Sequence, residues 1–209
     1  MKIIPSILTG DREQFQNELL KYNVFFDEIQ IDIADGVFVP NKTLGMEVQD
    51  IIPENIKISL HLMVNSPWEY ITQIKTNNIT SCICHVEVSA DFADIKNKLV
   101  KLGVVFGLAV NPDTNMDSYL ETVTNADFIQ LMGVNPGFQG QQFIPKTLEK
   151  YEALKKTGKP VWLDGGINEK TIDLIRDYDF QTIVVGSYFQ SGDLNYKLQL
   201  LKERLWIKD

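Results

Sequence analysis

Short apolar and β-branched runs recur along the whole chain and alternate with segments of helical periodicity. Eight of these runs have the length of a strand. They are Ile3–Leu8, Glu28–Ile33, Ile56–Val64, Cys82–Val88, Val104–Val110, Phe128–Val134, Val161–Leu163 and Thr182–Val185. Several are almost continuously apolar, which is typical of strands buried on both faces of a parallel sheet.

The segments between these runs carry the signals of amphipathic helices. Asp11 is placed to cap a helix that repeats an apolar residue every three or four positions. Pro145 is placed to open a second helix, and Gly158 to end it. Leucines recur at helical spacing over residues 194–205 and predict a closing amphipathic helix.

Strands that alternate with helices predict an α/β protein with a parallel sheet. A doubly wound open sheet usually carries a G-x-G-x-x-G loop after its first strand, and residues 7–11 offer no such loop. Eight strand–helix units in 209 residues match a barrel near the short end of its size range. We therefore predict a single (β/α)8 TIM barrel domain over residues 1–209.

Composition and charge narrow the class of protein. Hydrophobic residues make up 44% of the chain and charged residues 23%, which excludes wholesale disorder. The net charge is −8 and the chain has no basic run, so nucleic acid and anionic membranes are poor partners by bulk charge. A small anionic substrate remains compatible, because backbone N–H groups can hold a phosphate whatever the global charge.

The cysteines and the amino terminus bear on the compartment. Cys82 and Cys84 would point to the same face of a strand, and residues so close in an extended chain rarely form a disulfide. The first residues lack the apolar run and cleavage site of a signal peptide. No apolar run approaches the ~20 residues that a membrane span needs. We therefore predict a soluble, cytoplasmic protein.

In a barrel of this kind the functional site lies at the carboxyl ends of the strands. Asp32 lies near the end of the second predicted strand, and Asp164 directly follows the seventh. Carboxylates on opposite faces of one carbon can remove a proton from one side and return it on the other. If that carbon lies next to a ketone, loss of its proton gives an enediolate, and a metal ion or preorganised donors are needed to stabilise the enediolate oxygen. A strand-end aspartate can instead cap a helix or anchor a loop, so the assignment depends on several groups converging.

Two glycine-containing loops point to a phosphate. The seventh predicted strand is followed by Gly165-Gly166 and the eighth by Gly186-Ser187. Barrels commonly bind phosphate through N–H groups of these two loops, although a Gly-Gly pair alone is only a turn. The long segment after the sixth strand, residues 135–142, can be a mobile lid or an ordinary surface loop, and its apolar tip residue Phe138 favours the lid.

A set of short segments is highly specific as a group. The segment Ile31–Asn41 (IDIADGVFVPN) is strong evidence by itself. The others are 5–8 (PSIL), 61–64 (HLMV), 107–112 (GLAVNP), 132–138 (MGVNPGF), 142–145 (QFIP), 164–167 (DGGI) and 186–187 (GS). In order and spacing they resemble the ribulose-phosphate 3-epimerase family over nearly the whole chain. The resemblance implies a ribulose-phosphate-binding barrel that interconverts D-ribulose 5-phosphate and D-xylulose 5-phosphate.

The same resemblance implies roles for individual residues. Asp32 and Asp164 match the acid/base pair, and together with His61 they match ligands of a divalent metal ion, often zinc, iron or manganese. The residues that match the family's substrate contacts are Ser6, His61, Met63, Met132, Gly137, Gly166, Gly186 and Ser187. The implied partners are a small-molecule sugar phosphate and, because family members form dimers or larger rings, further copies of the chain in a homo-oligomer.

Several positions depart from the family pattern. Gln30 replaces the other metal-binding histidine, and the chain's second histidine, His85, aligns with a non-ligand position. An amide oxygen can ligate a hard cation but is a poor zinc ligand beside imidazole. Ala34 replaces a methionine, Val37 a frequent histidine and Gln139 a glycine of the lid. The retained residues predict a working proton-transfer site, and the lost ones predict altered metal binding or a changed substrate.

The leading hypothesis is therefore a pentose-phosphate 3-epimerase. An alternative is an epimerase of another ketose phosphate, such as a hexulose 6-phosphate. A non-catalytic sugar-phosphate binder is favoured by Gln30 alone, and a buried unpaired carboxylate pair would have a solvation cost without a function. A decarboxylase or Schiff-base aldolase would need a lysine at a strand end, whereas Lys2, Lys57 and Lys159 lie at strand starts.

Overall fold

Eight parallel strands form a closed barrel in the computed structural model, which describes residues 1–75 and 78–207. The strands are β1 (Lys2–Ile7), β2 (Glu28–Ala34), β3 (Lys57–Met63), β4 (Ile79–His85), β5 (Val105–Val110), β6 (Phe128–Met132), β7 (Val161–Asp164) and β8 (Thr182–Val185). Each strand pairs with its neighbours in sequence, and β8 closes the ring on β1. The predicted TIM barrel is confirmed. The predicted domain span of 1–209 also contains residues 76, 77, 208 and 209, which lie outside the described residues.

The connections between the strands hold helices of very different length. The α-helices are α1 (Arg12–Asn23), α2 (Pro67–Ile71), α3 (Phe92–Lys101), α4 (Leu120–Val123), α5 (Tyr151–Lys155), α6 (Ile172–Ile175), α7 (Ser187–Gln190) and α8 (Leu194–Arg204). Three 3₁₀ helices cover Met46–Ile51, Met116–Ser118 and Pro145–Lys150. The Asp11 side chain accepts a hydrogen bond from the Gln14 N–H at 2.7 Å, which confirms the predicted cap of α1. In the described part of the chain, none of these helices has the length and hydropathy to span a bilayer.

Alternate residues of each strand face either the helices outside the barrel or the barrel interior. In β2, Ile29, Ile31 and Ile33 join the large apolar core that fills the space between the strands and the helices. Gln30 and Asp32 alternate with these residues and therefore point into the barrel. The outward positions bury enough apolar surface to hold the helices against the strands. The inward positions can therefore hold the polar and ionisable side chains of a functional site.

The barrel interior has an apolar floor. Phe128, the first residue of β6, stacks on Trp162 of β7 with 4.1 Å between the ring centroids. The apolar cluster that contains this pair also includes Ile4, Ile83, Ala109, Met132 and Val184. Ile4, Phe128 and Trp162 lie in the amino-terminal half of their strands, whereas Ile83, Ala109 and Met132 lie toward the carboxyl ends. The stacked pair Phe128 and Trp162 therefore fills the amino end of the interior with apolar side chains.

The structure corrects two local predictions. The fourth strand is Ile79–His85 rather than Cys82–Val88, so Glu87 lies in the loop after it. The sequence hides this strand start because Ser81 is polar, yet its hydroxyl is buried and donates to the Ser59 hydroxyl at 2.7 Å.

The segment opened by Pro145 is not one continuous helix. It begins as the 3₁₀ helix Pro145–Lys150 and becomes α-helical only over α5. Gly158, with φ of +72°, follows it in the left-handed region and ends the segment as predicted. The two cysteines are free and buried, in agreement with the expectation of no disulfide.

Candidate active site

One cavity opens at the carboxyl end of the barrel. Its wall comes from the ends of the strands and from the loops that follow them. The sequence-predicted site residues that line it are Ser6, Asp32, His61, Met63, Met132, Gly137, Asp164, Gly166, Gly186 and Ser187. The fold therefore brings together every residue that the sequence analysis assigned to a site.

Two carboxylates and an imidazole meet at the base of the cavity. Asp32 and His61 are direct neighbours in the β2–β3 register, and Asp164 ends β7 on the other side of β1 and β8. The His61 Nδ1 atom lies 2.9 Å from Asp32 Oδ1 and 3.6 Å from Asp164 Oδ2. All three side chains are buried. They form a compact group with one nitrogen and several oxygen donors.

The Gln30 amide lies in the middle of this group. Its Nε2 donates to Asp32 Oδ1 at 2.8 Å and to Asp164 Oδ2 at 2.7 Å. The amide nitrogen thus bridges the two carboxylates and offsets part of their mutual repulsion. A second amide, that of Gln130 on β6, donates to the same Asp164 oxygen at 2.8 Å. The Oε1 atom of Gln30 is buried and has no hydrogen-bond partner in the described part of the chain.

The electrostatics of this cluster favour bound protons or a bound cation. Burial raises the pKa of Asp164 to about 7, and the negative charge of Asp32 shifts it in the same direction. Burial works against a charge on His61, but its hydrogen bond to Asp32 and the two carboxylate charges raise its pKa overall. Near neutral pH, Asp164 can therefore either give or take a proton.

A divalent cation fits the donor set of the cluster. Asp32, His61 and Asp164 each offer one ligand atom, and these atoms lie within 4.8 Å of one another. The unpartnered Gln30 Oε1 is a fourth candidate, because rotating the amide by half a turn exchanges its oxygen with its nitrogen. An amide oxygen turned toward two carboxylates is favourable only when a cation lies between them. Within residues 1–75 and 78–207, Asp32, His61 and Asp164 form a group that could hold a metal ion, with Gln30 as a fourth donor.

A second layer of polar side chains lies behind His61. The His61 Nε2 atom is 2.9 Å from His85 Nε2, and His85 Nδ1 is 3.3 Å from Glu87 Oε2. Glu87 Oε1 accepts hydrogen bonds from the Asn111 N–H at 2.9 Å and from the Thr114 hydroxyl. Burial works against the ionised form of Glu87, but the hydrogen bonds that it accepts lower its pKa. Burial lowers the pKa of His85.

The sequence analysis did not assign His85, Glu87 or Gln130 to the site. The signal was strand parity, because Gln130 lies two residues before Met132 and so shares its inward face. For His85 no sequence motif indicates a role, and its place beside His61 depends on how β4 pairs with β3. Glu87 gave no signal of this kind, since it lies in the loop after the strand.

The glycine loops follow β7 and β8, on the side of the barrel opposite β3 and β4. Gly165 and Gly166 have φ of +101° and +73°, which favours glycine at both positions. A Cβ on Gly166 would lie 2.7 Å from the Phe143 Cα, so the backbone there passes too close for a larger residue. A Cβ on Gly186 would lie 3.0 Å from the Ser6 hydroxyl. Both loops therefore bring bare backbone to the cavity, as a phosphate site requires.

Residues 135–141 of the predicted lid segment 135–142 line the cavity. The Asn41 side chain donates to the Gly137 carbonyl at 2.6 Å and ties this segment to the loop after β2. The Gln139 Oε1 atom accepts from the Gln190 amide of α7 at 2.5 Å. Phe138 is half-exposed at the tip. The segment is in the place of a lid, and its mobility stays a prediction.

Comparison with known proteins agrees with this arrangement. The family model described as the Ribulose-phosphate 3 epimerase family matches residues 2–190. A ribulose-phosphate 3-epimerase of Encephalitozoon cuniculi is 38% identical over 186 residues, which cover 88% of this chain and 84% of that protein. Proteins of the same name from Chlamydia pneumoniae and Aquifex aeolicus are 35% and 32% identical, over 80% and 97% of this chain and 77% and 96% of their own length.

Solved structures show a similar fold at much lower sequence identity. A tryptophan synthase alpha-subunit from Pyrococcus furiosus superposes with a TM-score of 0.69 and 13% identity, covering 99% of this chain and 98% of its own. This likeness concerns the barrel alone. The sequence relatives and the family match go further, and on their extent this chain belongs to the ribulose-phosphate 3-epimerase family.

Proposed function

We propose that the chain is an isomerase that interconverts D-ribulose 5-phosphate and D-xylulose 5-phosphate by two-base proton transfer. The observation that carries this proposal is the pair of buried carboxylates, Asp32 and Asp164, which enter one cavity from separate strands. A carbon that lies between them can lose its proton to one carboxylate and regain a proton from the other. The family membership of the chain supports the same reaction.

Each part of the cavity suits one part of the proposed substrate. The glycine loops at Gly166 and Gly186 present backbone to a phosphate, as family members are expected to do. Met63 and Met132 are buried apolar neighbours of the carboxylates and keep water from the reacting carbon. The segment 135–142 completes this shield at the mouth. Asp164, with a pKa of about 7, can exchange a proton at neutral pH.

A divalent metal ion, when bound, supplies positive charge that stabilises the enediolate oxygen. In this chain it would be held by Asp32, His61 and Asp164, with the Gln30 amide oxygen as a fourth donor. Three oxygen donors and one nitrogen donor suit a harder ion better than a site with two imidazoles would, so we expect the margin by which Zn²⁺ binds more tightly than Mn²⁺ or Fe²⁺ to be small. The His61 imidazole and the Gln30 amide also fix the orientation of the two carboxylates.

The reaction itself is tested by NMR in D2O. Metal-depleted protein is mixed with D-ribulose 5-phosphate, and Mn²⁺, Fe²⁺ or Zn²⁺ is then added to separate samples. We expect the C3–H signal of the substrate to disappear as xylulose 5-phosphate accumulates, with a rate that depends on the metal. Folded protein that exchanges no proton with any of these metals would refute the pentose-phosphate assignment. Hexulose 6-phosphates would then be tested in the same assay.

One observation favours a second candidate, a sugar-phosphate binder without catalysis. The Gln30 amide nitrogen already occupies the space between the two carboxylates and satisfies them without a metal ion. The binder hypothesis predicts that ribulose 5-phosphate binds by calorimetry without any turnover. The epimerase hypothesis predicts both binding and exchange.

We further propose that the chain works in the cytoplasm as a homo-oligomer. This proposal rests on the family alone. Light scattering of the purified protein tests it, because a monomer mass at micromolar concentration would contradict an assembly of the family type.

A further inference from the structure

A continuous line of side chains runs from the candidate metal ligand His61 to the half-buried carboxylate of Glu87. His61 Nε2 contacts His85 Nε2 at 2.9 Å, and His85 Nδ1 contacts Glu87 Oε2 at 3.3 Å. The two imidazole rings meet end to end through these nitrogens, with 5.0 Å between their centroids and 26° between their planes. Phe38 packs on His85 with a centroid distance of 4.8 Å. Both histidines are almost completely buried.

The hydrogens along this line can be assigned from donor and acceptor chemistry. An ionised carboxylate only accepts hydrogen bonds, so the proton in the contact between His85 and Glu87 belongs to His85 Nδ1. A neutral imidazole carries one N–H, so the Nε2 atom of His85 has a lone pair. Two ring nitrogens 2.9 Å apart share one proton, which must then belong to His61 Nε2.

The consequence lies at the other side of the His61 ring. With its hydrogen on Nε2, a neutral His61 has a lone pair on Nδ1, the atom that faces Asp32 at 2.9 Å and Asp164 at 3.6 Å. A lone pair directed at two carboxylates is repulsive, so in the metal-free protein Nδ1 also carries a hydrogen that Asp32 accepts, and a bound cation replaces that hydrogen. The tautomer that Glu87 selects through His85 is therefore the one in which His61 can bind a metal ion through Nδ1.

We propose that His85 and Glu87 are positioning residues that hold His61 in its ligand tautomer. Glu87 is itself fixed by the Asn111 N–H and the Thr114 hydroxyl, so its carboxylate keeps one orientation. The proposal deepens the proposed function, because it assigns residues to the metal site of the same enzyme. Its tests are binding and spectroscopy, so they are decided even if the epimerase reaction is not found.

In the competing arrangement His85 donates to His61 instead of accepting from it. A doubly protonated His85 would donate from Nε2 to His61, whose remaining N–H would then be on Nδ1 and point to Asp32. That arrangement keeps a positive charge on a ring buried between Phe38 and His61, which has a desolvation cost. It also blocks the nitrogen that the metal ion needs. The two arrangements differ in which ring atoms carry hydrogen, and this difference is measurable.

The chain contains only two histidines, which makes the experiment simple to read. Protein labelled with ¹⁵N-histidine gives two imidazole patterns in long-range ¹H–¹⁵N correlation spectra, with and without Zn²⁺ as a diamagnetic probe. We expect His61 to carry hydrogen on Nε2 in both states, and His85 to carry it on Nδ1 alone. A His61 ring protonated only on Nδ1, or a His85 ring protonated on both nitrogens, would overturn the proposal.

Variants test the consequence for metal binding. His85→Gln keeps an acceptor for the His61 Nε2–H, whereas His85→Phe fills a similar volume without one. We expect Glu87→Gln and His85→Phe to weaken Mn²⁺ binding by about 10- to 100-fold in calorimetry, and His85→Gln to restore most of that loss. Asp127→Asn is the matched control, because Asp127 is also a carboxylate that accepts a backbone N–H, from Phe106, but it lies at a strand start.

The control keeps a purely structural effect apart from the proposed one. Thermal unfolding is recorded for each variant, and binding is compared only between folded proteins. Equal Mn²⁺ affinity in His85→Phe and His85→Gln would show that the acceptor on residue 85 has no role, and would refute the proposal. The tautomer spectra of the unmodified protein decide the matter if both variants fail to fold.

Discussion

The two ends of the barrel interior are filled by opposite kinds of side chain. At the amino end, Phe128 and Trp162 stack within an apolar cluster. At the carboxyl end, Asp32, His61 and Asp164 crowd together around amide donors. The same strands supply both ends, since Trp162 and Asp164 are two residues apart on β7. Stability and chemistry are therefore separated along the barrel axis rather than between different elements.

The difference in environment implies opposite responses to substitution. The floor residues stabilise the fold through buried apolar area and close packing. The buried carboxylates lose hydration, and the raised pKa of Asp164 shows that its charged form is disfavoured there. Removing a charge at the carboxyl end should therefore harm activity without harming stability, and truncating the floor should do the reverse.

The largest expected effect is the loss of activity in Asp164→Asn. The variant keeps an oxygen that can accept from Gln30 and Gln130 but cannot exchange a proton, so we expect turnover to fall by roughly 10²- to 10⁴-fold. The NMR exchange assay measures this, and Asp173→Asn on the exposed surface is the control. Normal activity in Asp164→Asn would show that the two-base assignment is wrong.

Truncating the floor should act on stability instead. Trp162→Ala removes a nearly buried ring that stacks on Phe128, and we expect the free energy of unfolding to fall by about 3–5 kcal/mol. Activity per folded molecule should stay close to normal. Denaturant unfolding followed by circular dichroism measures the loss, and Trp162→Phe is the milder control. A Trp162→Ala protein that is stable but inactive would contradict the separation of the two ends.

The stability of the protein should also depend on pH, because Asp164 at the carboxyl end of the barrel binds a proton more tightly in the folded state. Asp164 has a pKa of about 7 in the folded, metal-free protein, well above the value of about 4 that is usual for an aspartate in an unfolded chain, so the folded state binds its proton more tightly. Stability from this group is therefore full below about pH 4 and declines as the pH rises toward 7, by on the order of a few kcal/mol. The raised pKa of His61 acts in the same direction.

The contribution of Asp164 is isolated by comparison with Asp164→Asn. We expect the variant to lack this decline, so that it is more stable than the unmodified protein at pH 8 and similar to it at pH 4. Urea unfolding at each pH, with metal removed by chelator, gives the comparison. A parallel pH dependence of the two proteins would mean that Asp164 is ionised throughout this range.

The smallest expected effect is a change of metal preference in Gln30→His. A second imidazole would replace a weak oxygen donor, so Zn²⁺ affinity should rise by about tenfold or more relative to Mn²⁺. Calorimetric titration of both ions into the two proteins measures the ratio. The variant also loses the amide that bridges Asp32 and Asp164. An unchanged ratio of affinities would place Gln30 outside the set of metal ligands.

Some local predictions failed for a physical reason that also explains the successes. The outward faces of the strands are buried against helices, so residues such as Ile29 and Ile31 must be apolar and are easy to recognise. The polar Ser81, third in β4, finds its partner Ser59 on the neighbouring strand β3, which is distant in sequence. A pattern that assumes buried residues to be apolar therefore begins this strand three residues too late.

The amino-acid sequence alone determined the barrel, its repeat of strand and helix, and the carboxylates, histidine and glycines that line the cavity. These features follow from local periodicity and from specific short segments. Only the tertiary structure decided that the Gln30 amide bridges Asp32 and Asp164, and that His85 and Glu87 lie behind His61. The reason is physical, since hydrogen bonds between neighbouring strands depend on register and on which nitrogen carries a proton. Neither the strand register nor the position of a proton can be predicted from the spacing of residues along the chain.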